Sequence, residues 1–427
     1  MSNAFKLINT NAEYRNAVNA AKMYDHAYFV QNNPLITDAE YDSLYFHIQA
    51  YEVKHPGEIL PDSPTQHVGS DLKDGKHTVM HRTPMMSTQK CKTVEDLRKW
   101  MASTTKALRK MGKIGKDEEP KFSIEWKYDG CSCSLVYQDG ILIEASTRGD
   151  YMVGQDILCH VKNIPSIPKT LYYGERSLKD DEFIPSENKA QGRIEVRGEI
   201  LMPFAKLEET HGAYKDARTA AASIINTDSP TPYDHLLEFQ AWQLITDTSH
   251  CPAADETNAE GQRRGLPYFG PDELHSGAIC NLYSLLGFET GGVCTDNADD
   301  IAESIADFTE DRSSLPYPTD GLVVKLEDKR LWDCLGKTEH HPKFCIAYKF
   351  PPQTAVTTCT RIEITVGKTG KRTPIAYFEP VTMNGKTYLK ASLGSEATAE
   401  KMGIKVGCRI EFALNNDVIP HINRVVE

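Results

Sequence analysis

The chain has 427 residues, 40% of them hydrophobic and 25% charged, which are the proportions of a soluble globular protein with two or three domains. No stretch approaches the ~20 apolar residues of a membrane-spanning helix, and no secretion signal is expected at the first residues. The eleven cysteines are scattered without a C-x-x-C pair, which excludes a disulfide scaffold and a four-sulfur zinc site. We expect free thiols in a cytoplasmic protein.

The net charge of −12 argues against binding to nucleic acid through net charge alone. The charge is uneven, however. Residues 350–427 hold ten Lys and Arg against seven Asp and Glu, so this region is mildly basic and the rest of the chain is acidic. A basic module on an acidic body is compatible with nucleic-acid binding and is weak evidence for it.

The N-terminal region is predicted to be helical. Residues 12–29 contain no helix breaker, and the capping box Thr37–Glu40 opens a second helix that runs to about residue 52. Leu44, Ile48 and Tyr51 fall on one face of that helix. Prolines and a glycine then interrupt the pattern, so we expect a small helical domain over residues 1–69.

The middle of the chain alternates short strands with glycine turns. Helices are predicted at Val94–Lys110 and Asp299–Glu310, and a hairpin turn is predicted at Gln138–Gly140. The pattern is typical of an α+β domain with an antiparallel-rich sheet, over residues 70–350. The predicted strands are Lys121–Glu125, Cys133–Tyr137, Ile141–Ser146, Arg193–Met202, Glu238–Ile245 and Gly321–Leu326.

Residues 351–427 are predicted to form a small β-barrel after a boundary at the two prolines 351 and 352. Strand-like runs at 358–366, 373–381, 387–392 and 409–413 accompany one short helix near 395–402. About five short strands in a module of this size indicate an OB-fold. The whole chain is therefore expected to be multidomain and α+β.

The most informative run is Ile124–Gly130, with the sequence IEWKYDG. In an extended strand Glu125, Lys127 and Asp129 point to the same side, which places one amine between two carboxylates. A lysine amine becomes a nucleophile when burial and neighbouring charges favour its neutral form. A solvated strand with alternating charges has the same pattern, so this run alone leaves both interpretations open.

Four later runs add side chains that suit a polyphosphate ester. They are Thr147–Asp150 (TRGD), Glu195–Glu199 (EVRGE), Asp320–Lys325 (DGLVVK) and Ala347–Lys349 (AYK). An arginine and three lysines would neutralise phosphate charge in a transition state. Each run alone is weak, but in this order and at these separations they form a strong signal.

Together these runs resemble the motifs of the covalent nucleotidyltransferases. Asn33–Asp42, Pro61–Gly69 and Asp216–Ala222 are further similar to segments of the bacterial-type NAD-dependent DNA ligases. The resemblance implies an enzyme that seals 5′-phosphate/3′-hydroxyl nicks in duplex DNA. The implied route passes through a lysyl-AMP and an adenylated DNA 5′ end, and it releases nicotinamide mononucleotide and AMP.

The resemblance also implies roles for single residues. Lys127 would attack the α-phosphate of NAD+, Asp129 would orient it, and Lys325 with Lys349 would hold the AMP phosphate. Asp320 would contact Mg²⁺ or Mn²⁺. The side chains expected around the cofactor are Glu125, Arg148, Glu199, Trp242 and Arg312, with core packing as the alternative for the tryptophan.

In the helical domain the resemblance places Tyr28, Asp38, Tyr41 and Asp42 around the nicotinamide nucleotide. Two tyrosines and two carboxylates suit a positively charged aromatic ring. An ordinary capped helix with Asp38 in its first turn would explain the same residues. If they do bind the nicotinamide nucleotide, the adenylate donor is NAD+ rather than ATP.

The resemblance implies nicked duplex DNA as the partner. Arg218 and the barrel residues Lys368, Lys371 and Arg372 would contact its backbone, with a plain basic surface loop as the alternative for the last three. We expect a monomer that binds no membrane and acts in the cytoplasm of a bacterium, or of an infected host cell if the source is a virus.

Several positions depart from the family pattern. Phe29 replaces a histidine, Asn226 replaces an arginine, Asp216 and Ala217 replace Asn-Pro, and Tyr151 with Met152 interrupts the continuation of TRGD. No counterpart of the family's zinc finger, helix-hairpin-helix array or BRCT domain is expected. A minimal viral or phage form, a shortened chain and a separate polypeptide supplying those domains all remain open.

Two other functions are compatible with the lysine motif. An RNA ligase or a capping guanylyltransferase would use the same chemistry, although capping enzymes lack the residues matched at 28–42. A non-enzymatic relative that binds nucleotide or DNA ends would fit the substitutions at Phe29 and Asn226.

Overall fold

The structure is a computed structural model of the 427-residue chain. It describes residues 8–25, 27, 35–36, 38–60, 63–65, 77–176, 183–246, 286–338, 341–351, 354–366, 372–383, 386–393, 395–415 and 419–426, at some of them for the backbone alone. The chain divides into two compact units, one of residues 66–350 and one of residues 1–65 together with 351–427.

The described residues form both helices and strands, with several strands often following each other directly. The helices, α1 to α9, are Asn11–Asp25, Asp38–Lys54, Val94–Lys110, Leu158–Val161, Phe204–Leu207, Ala217–Ile225, Ala298–Asp311, Trp332–Leu335 and Glu396–Met402. The strands β1 to β10 are Thr78–Met80, Gln89–Cys91, Phe122–Tyr128, Cys131–Gln138, Ile141–Thr147, Val153–Gln155, Tyr172–Arg176, Phe183–Lys189, Arg193–Leu201 and Glu238–Thr246. The strands β11 to β19 are Glu289–Thr290, Val293–Asp296, Thr319–Leu326, Cys345–Lys349, Thr354–Val366, Arg372–Met383, Lys386–Ser392, Arg409–Asn415 and Ile419–Val426. The predicted α+β class is confirmed.

Two five-stranded sheets form the framework of the unit of residues 66–350. The first has the strand order β11-β10-β9-β4-β5, and the second has the order β12-β3-β13-β14-β2. Their pairs are antiparallel except β10 with β11 and β14 with β2, which agrees with the antiparallel-rich prediction. Side chains of α4 and α6 pack on the first sheet, and side chains of α3 and α7 pack on the second.

Local sequence explains the two long helices of this unit. The hydroxyl of Thr93 accepts a hydrogen bond from the backbone N–H of Asp96 at the start of α3, which matches the predicted Val94–Lys110. The side chain of Asn297 caps α7 in the same way. Apolar residues of both helices enter one core, so capping and amphipathic spacing specify the same elements.

The connection from β3 to β4 carries the chain from the second sheet to the first. Only Asp129 and Gly130 lie between the two strands. A Cβ atom at residue 130 would lie 2.3 Å from the backbone oxygen of Ile200 and 2.7 Å from Cδ2 of Leu201. Glycine is therefore required here by close contact with β9.

The last strands form a closed barrel in the order β15-β16-β17-β19-β18, as the OB-fold prediction requires. Phe378, Phe412 and Ile422 fill its interior. The hydroxyl of Ser395 caps α9, the short helix expected in this region. Strand β19 was not predicted, because the segment after residue 413 lacks a clear alternation.

The N-terminal helices α1 and α2 pack through a small core of their own. Leu44, Ile48 and Tyr51, predicted to share one face of α2, are all buried. Glu52 is buried as well, and its carboxylate accepts hydrogen bonds of 2.7 Å from the Tyr14 hydroxyl and 2.6 Å from the Ser63 hydroxyl. A buried carboxylate with hydroxyl donors ties the helices to the segment that follows them.

The described cysteines agree with the expectation of free thiols. Eight of them are free thiols, most of them buried or half-buried. Among the described residues no helix is both long enough and apolar enough to cross a membrane.

Gly130→Ala should destabilise the protein by about 2 kcal/mol or more, because the new methyl group meets backbone atoms that cannot move independently. Gly115→Ala is the matched control, since its Cβ would lie 3.4 Å from its nearest neighbour, a side-chain oxygen of Glu118. Thermal unfolding monitored by circular dichroism measures both. Equal melting temperatures for the two variants would show that the contact at Gly130 does not constrain the turn.

Candidate active site

Two lysines and one carboxylate meet on one face of the second sheet. Lys127 of β3 and Lys349 of β14 both lie opposite Gly321 of β13, so their side chains leave the same face. A bulge between Thr319 and Gly321 allows the intervening Asp320 to join them. Its Oδ1 lies 2.8 Å from the Nζ of Lys127, and its Oδ2 lies 3.6 Å from the Nζ of Lys349.

The two lysine amines determine the charge state of Asp320. Burial acts to raise its pKa, but the positive charges of Lys127 and Lys349 outweigh burial and lower the pKa to about 2. The group is therefore an anion at neutral pH and a weak base. The Lys127 side chain keeps 26% of its surface exposed, so a ligand can reach its amine.

A second ion pair joins β13 to β3. The Nζ of Lys325 lies 2.6 Å from Oε2 of Glu125 and donates a hydrogen bond of 3.0 Å to the backbone oxygen of Trp242. Trp242 stands at a bulge in β10, a strand of the first sheet, and is half-buried. Two residues predicted at the nucleotide site thus pair with each other, and Lys325 also joins the two sheets.

Asp129 and Arg218 form a third ion pair. The Nε of Arg218 lies 2.6 Å from Oδ1 of Asp129, and both side chains are about four-fifths buried. Arg218 projects from the first turn of α6, so the helix brings a predicted DNA contact to the end of the predicted catalytic strand. The acidic and basic side chains of the IEWKYDG run therefore have their recorded ion-pair partners on other elements.

Glu199 lies on β9, opposite Ser132 near the start of the neighbouring strand β4. Its carboxylate accepts hydrogen bonds from the backbone N–H of Gly130, at 3.2 Å, and from the hydroxyl of Ser132, at 2.7 Å. Burial raises the pKa of Glu199 to about 7, and the two hydrogen bonds and the charge of Lys127 offset only part of that effect. The group can bind or release a proton near neutral pH.

Arg148 directly follows β5 and contacts residues 81–88, which we call the 81–88 loop. Its Nη1 lies 3.5 Å from the Ser87 hydroxyl, and its backbone oxygen lies 3.2 Å from Nε2 of His81. The backbone oxygen of Ser87 in turn lies 3.0 Å from Nδ1 of His341. The loop therefore contacts the arginine that the sequence analysis predicts to lie at the cofactor.

Arg197 holds this loop and was not singled out from the sequence. It is 2% exposed, pairs with Glu195 at 2.8 Å, and donates hydrogen bonds to the backbone oxygens of Thr83 and Pro84. The EVRGE run contained the residue, but nothing in the sequence connects it to a loop more than a hundred positions earlier. Arg197 is a positioning residue for the 81–88 loop.

Arg312 contacts the protein backbone and an aromatic ring. Its Nε donates a hydrogen bond of 3.1 Å to the backbone oxygen of Thr319, and its Cζ lies 5.1 Å from the centre of the Phe350 ring. The side chain is 9% exposed. In this structure it supports the backbone beside Asp320, and contact with a cofactor stays a prediction.

The other predicted site residues are described only in part. Tyr41 lies on α2, half-buried, with its ring centre 6.5 Å from that of Tyr45. Arg372 is exposed at the first position of β16. Tyr28, Lys368 and Lys371 lie outside the described residues, and the side chains of Asp38 and Asp42 are outside the description as well.

Comparison with known proteins now decides the family. Residues 74–267 and 272–353 match the NAD-dependent DNA ligase adenylation domain, and residues 356–427 match the OB-fold domain of the same ligases. Residues 9–69 match a DNA ligase-like N-terminal NAD+-binding domain. The chain belongs to the NAD-dependent DNA ligase family.

Individual relatives of this ligase-family chain agree. A protein named DNA ligase from Leuconostoc mesenteroides is 35% identical over 413 residues, which cover 94% of this chain and 54% of that protein. A DNA ligase from Koribacter versatilis is 31% identical over 417 residues, covering 95% of this chain and 56% of the relative. The chain thus spans little more than half the length of these relatives.

Departures from the NAD-dependent DNA ligase pattern can be placed in the structure. Asp216 caps α6, accepting a hydrogen bond of 2.8 Å from the backbone N–H of Thr219, a role that aspartate and asparagine fill equally well. Asn226 ends the same helix and is buried. Tyr151 adopts a positive φ of 72°. Phe29 lies outside the described residues.

A magnesium ion expected from the ligase family has no site built by protein ligands alone in the described part of the chain. No three His, Cys, Asp or Glu side chains are grouped there around one point. Both oxygens of Asp320, the predicted metal contact, face lysine amines. These residues do not fit a metal cage.

Glu199→Gln should change how stability depends on pH. Because the folded-state pKa of about 7 exceeds the ordinary 4.5, the stability contributed by Glu199 is complete below pH 4.5 and is lost as the pH rises through 7. The Glu199→Gln variant should not show this decrease in the free energy of unfolding with rising pH, which is on the order of 1–3 kcal/mol in the wild type. Urea unfolding between about pH 5 and pH 8 tests it, with the exposed Glu303→Gln as control. Parallel pH profiles for wild type and Glu199→Gln would contradict the raised pKa.

Arg197→Lys should weaken the hold on the 81–88 loop, because an ammonium group cannot reach Glu195 and two backbone oxygens with the fork geometry of arginine. We expect KM for the adenylate donor to rise about tenfold with a smaller fall in kcat. Arg193→Lys is the control, since Arg193 also pairs with Glu195 but forms no hydrogen bond or ion pair with the described residues of the loop. A change in melting temperature without a change in KM would show that Arg197 only stabilises the fold.

Proposed function

We propose that this chain is an NAD+-dependent DNA ligase whose nucleophile is Lys127. The observation that carries the proposal is the convergence of Lys127 and Lys349 on Asp320, beside the ion pair of Lys325 with Glu125. Three lysines on one face of a sheet are suited to an adenylate phosphate, and one of them is exposed enough to react.

In the first step the amine of Lys127 attacks the α-phosphate of NAD+. A P–N bond forms, the bond from that phosphorus to the bridging oxygen breaks, and nicotinamide mononucleotide leaves with the electron pair. The amine must lose its proton as the bond forms. Asp320, a weak base with a pKa of about 2, positions the amine and does not retain the proton. Lys349 would neutralise charge on the phosphate.

Two further transfers complete the proposed reaction. The 5′-phosphate of a nick attacks the lysyl-AMP, so the P–N bond breaks and AMP moves to the DNA end. The 3′-hydroxyl then attacks the DNA 5′-phosphorus, forms the phosphodiester bond and releases AMP. Each step is a phosphoryl transfer, so orientation and charge neutralisation supply most of the catalysis.

The donor, the metal and the DNA partner follow from the family rather than from contacts in the structure. The N-terminal domain match, with Tyr28, Asp38, Tyr41 and Asp42, supports NAD+ as the donor. Mg²⁺ or Mn²⁺ bound largely by substrate phosphates and water would suit the part of the chain that the structure describes, where no three ligating side chains are grouped. We further propose a monomer that acts on nicked duplex DNA in the cytoplasm of a bacterial or infected host cell.

Lys127→Ala should abolish self-adenylation, because the nucleophilic amine is absent. The test offers NAD+ labelled in its adenylate phosphate, or α-labelled ATP, and follows label on the 47.8 kDa chain in a denaturing gel. Wild type should be labelled by NAD+ alone. Lys113→Ala, which removes an exposed lysine after α3, is the matched control and should be labelled like wild type.

An assay of nick sealing distinguishes the first step, adenylation of the lysine, from the two later steps. Lys127→Ala should still join a nick that carries a pre-formed adenylate at its 5′ end, with reduced rate, because the later steps do not use the amine as nucleophile. Label on Lys127→Ala would overturn the nucleophile assignment, and label from ATP would overturn the donor. Absence of label from either donor, in folded wild type that is not already adenylated, would favour a protein that binds nucleotide or DNA ends without sealing them.

A further inference from the structure

Residues 315–319, which we call the 315–319 segment, lead into Asp320 and also hold the end of the strand that carries Lys127. The backbone oxygen of Pro318 accepts a hydrogen bond of 2.8 Å from the backbone N–H of Asp129. Asp320 follows the segment directly, and its carboxylate lies 2.8 Å from the amine of Lys127. The course of the 315–319 segment therefore determines where Asp129 and Asp320 lie relative to that amine.

The side chain of Tyr317 ties this segment to the first sheet. Its hydroxyl donates a hydrogen bond to Oε2 of Glu238 and accepts one of 3.3 Å from Nε2 of Gln240. Both partners lie on β10, whereas the segment continues into β13 of the second sheet. The Nζ of Lys206 lies 2.7 Å from the other oxygen of Glu238, so the acceptor is itself held in place.

The ring of Tyr317 also contacts the strand that carries the proposed nucleophile. Its centre lies 5.4 Å from that of the Tyr128 ring, with an angle of 81° between the ring planes. Aromatic pairs favour this edge-to-face geometry. Tyr128 directly follows Lys127 in β3. One tyrosine thus connects β10, the segment before Asp320 and the residue after Lys127.

The hydroxyl of Tyr317 keeps its proton near neutral pH. Burial, and after it the hydrogen bond to Glu238, raise the pKa of Tyr317 well above its ordinary value. A hydrogen bond from a hydroxyl to a carboxylate is stronger than one between neutral groups. Tyr317 is therefore a constant donor, and a phenylalanine in its place would remove this hydrogen bond without changing the charge of the site.

We propose that Tyr317 is a positioning residue for the adenylation of Lys127 and that it acts through its hydrogen bond to Glu238. The inference rests on the proposed ligase function, because it concerns the step in which the Lys127 amine attacks the α-phosphate of NAD+. The attack requires the amine to lie in line with the departing oxygen, and a displacement of about 1 Å can lower a rate about 100-fold. Tyr317 fixes the segment before Asp320, whose carboxylate orients the amine.

The competing explanation is that Tyr317 only stabilises the fold, and Tyr137 allows a matched comparison. The Tyr137 hydroxyl donates a hydrogen bond of 2.8 Å to the backbone oxygen of Pro168, and its side chain is fully buried. Its ring packs against that of Phe288 in the core of the first sheet. Tyr137→Phe therefore also removes one tyrosine hydrogen bond, but from partners outside both β3 and the 315–319 segment.

Self-adenylation in a single turnover tests the proposal, with the full chain free of AMP and labelled NAD+ at several concentrations. Tyr317→Phe should lower the maximal rate about tenfold and change the half-saturating NAD+ concentration by less than about twofold, because orientation is lost and binding is not. Tyr137→Phe should adenylate like wild type. Thermal unfolding of both variants should show that Tyr137→Phe is at least as strongly destabilised.

Variants of Glu238 test whether the hydrogen bond is responsible. Glu238→Gln should retain most of the adenylation rate, since its amide can still form a hydrogen bond with the phenol. Glu238→Ala should match Tyr317→Phe. The double variant Tyr317→Phe/Glu238→Ala should be no slower than either single variant, because both changes remove the same interaction.

Sealing of a nick that already carries a 5′ adenylate separates positioning of the amine from general damage. Tyr317→Phe should lose less rate in this assay than in self-adenylation, because the later steps do not use the Lys127 amine as nucleophile. Equal losses in the two assays would overturn the proposal, as would an adenylation rate equal to that of Tyr137→Phe. A higher half-saturating NAD+ concentration with an unchanged maximal rate would overturn it too, since Tyr317 would then act in NAD+ binding.

Two further outcomes have distinct meanings. If Tyr317→Phe does not fold, the difference in rate between Glu238→Ala and Glu238→Gln decides the proposal, and equal rates would overturn it. Absence of label in wild type would count against the ligase function and would remove this inference with it. Label in wild type together with normal adenylation of Tyr317→Phe would count against the positioning role alone.

Discussion

The candidate active site depends on one carboxylate that faces two amines. Asp320 can do so because a bulge interrupts the pairing of β13 with β3 directly before Gly321. Gly321 must itself lack a side chain, since a Cβ there would lie 2.1 Å from the backbone oxygen of Tyr348. The bulge and the glycine together let three adjacent strands present Lys127, Asp320 and Lys349 to one point.

Around this point most of the charge is arranged in pairs. Lys325 binds Glu125, and Arg197 binds Glu195 in a buried pair on the neighbouring sheet. Buried ion pairs often add little stability compared with apolar packing, but removal of one partner is costly. Their effect here is positional. Lys325 joins the two sheets through the backbone of Trp242, and Arg197 fixes the loop that contacts Arg148.

The sequence predicted the positions of helices and strands better than it predicted the contacts between side chains. Helix α3 matched its predicted limits because capping and amphipathic spacing are local, and Lys127 could be proposed as the nucleophile because its motif is continuous in sequence. Its recorded ion-pair partner, Asp320, is almost two hundred residues away, and the strand alternation had suggested Glu125 and Asp129 instead. Arg197 shows the same limit, since its role depends on a loop brought near by the folding of two sheets.

The acidic composition of the chain does not conflict with a DNA substrate once distance is considered. At physiological salt, exposed charges separated by more than ~8 Å are largely screened from each other. Binding is decided by the few charges within that range of a phosphate. On the barrel, the guanidinium carbon of Arg361 and the amine of Lys390 lie 4.1 Å and 5.7 Å from the centre of the Tyr377 ring, so positive charge is concentrated at that scale without altering the net charge of the chain.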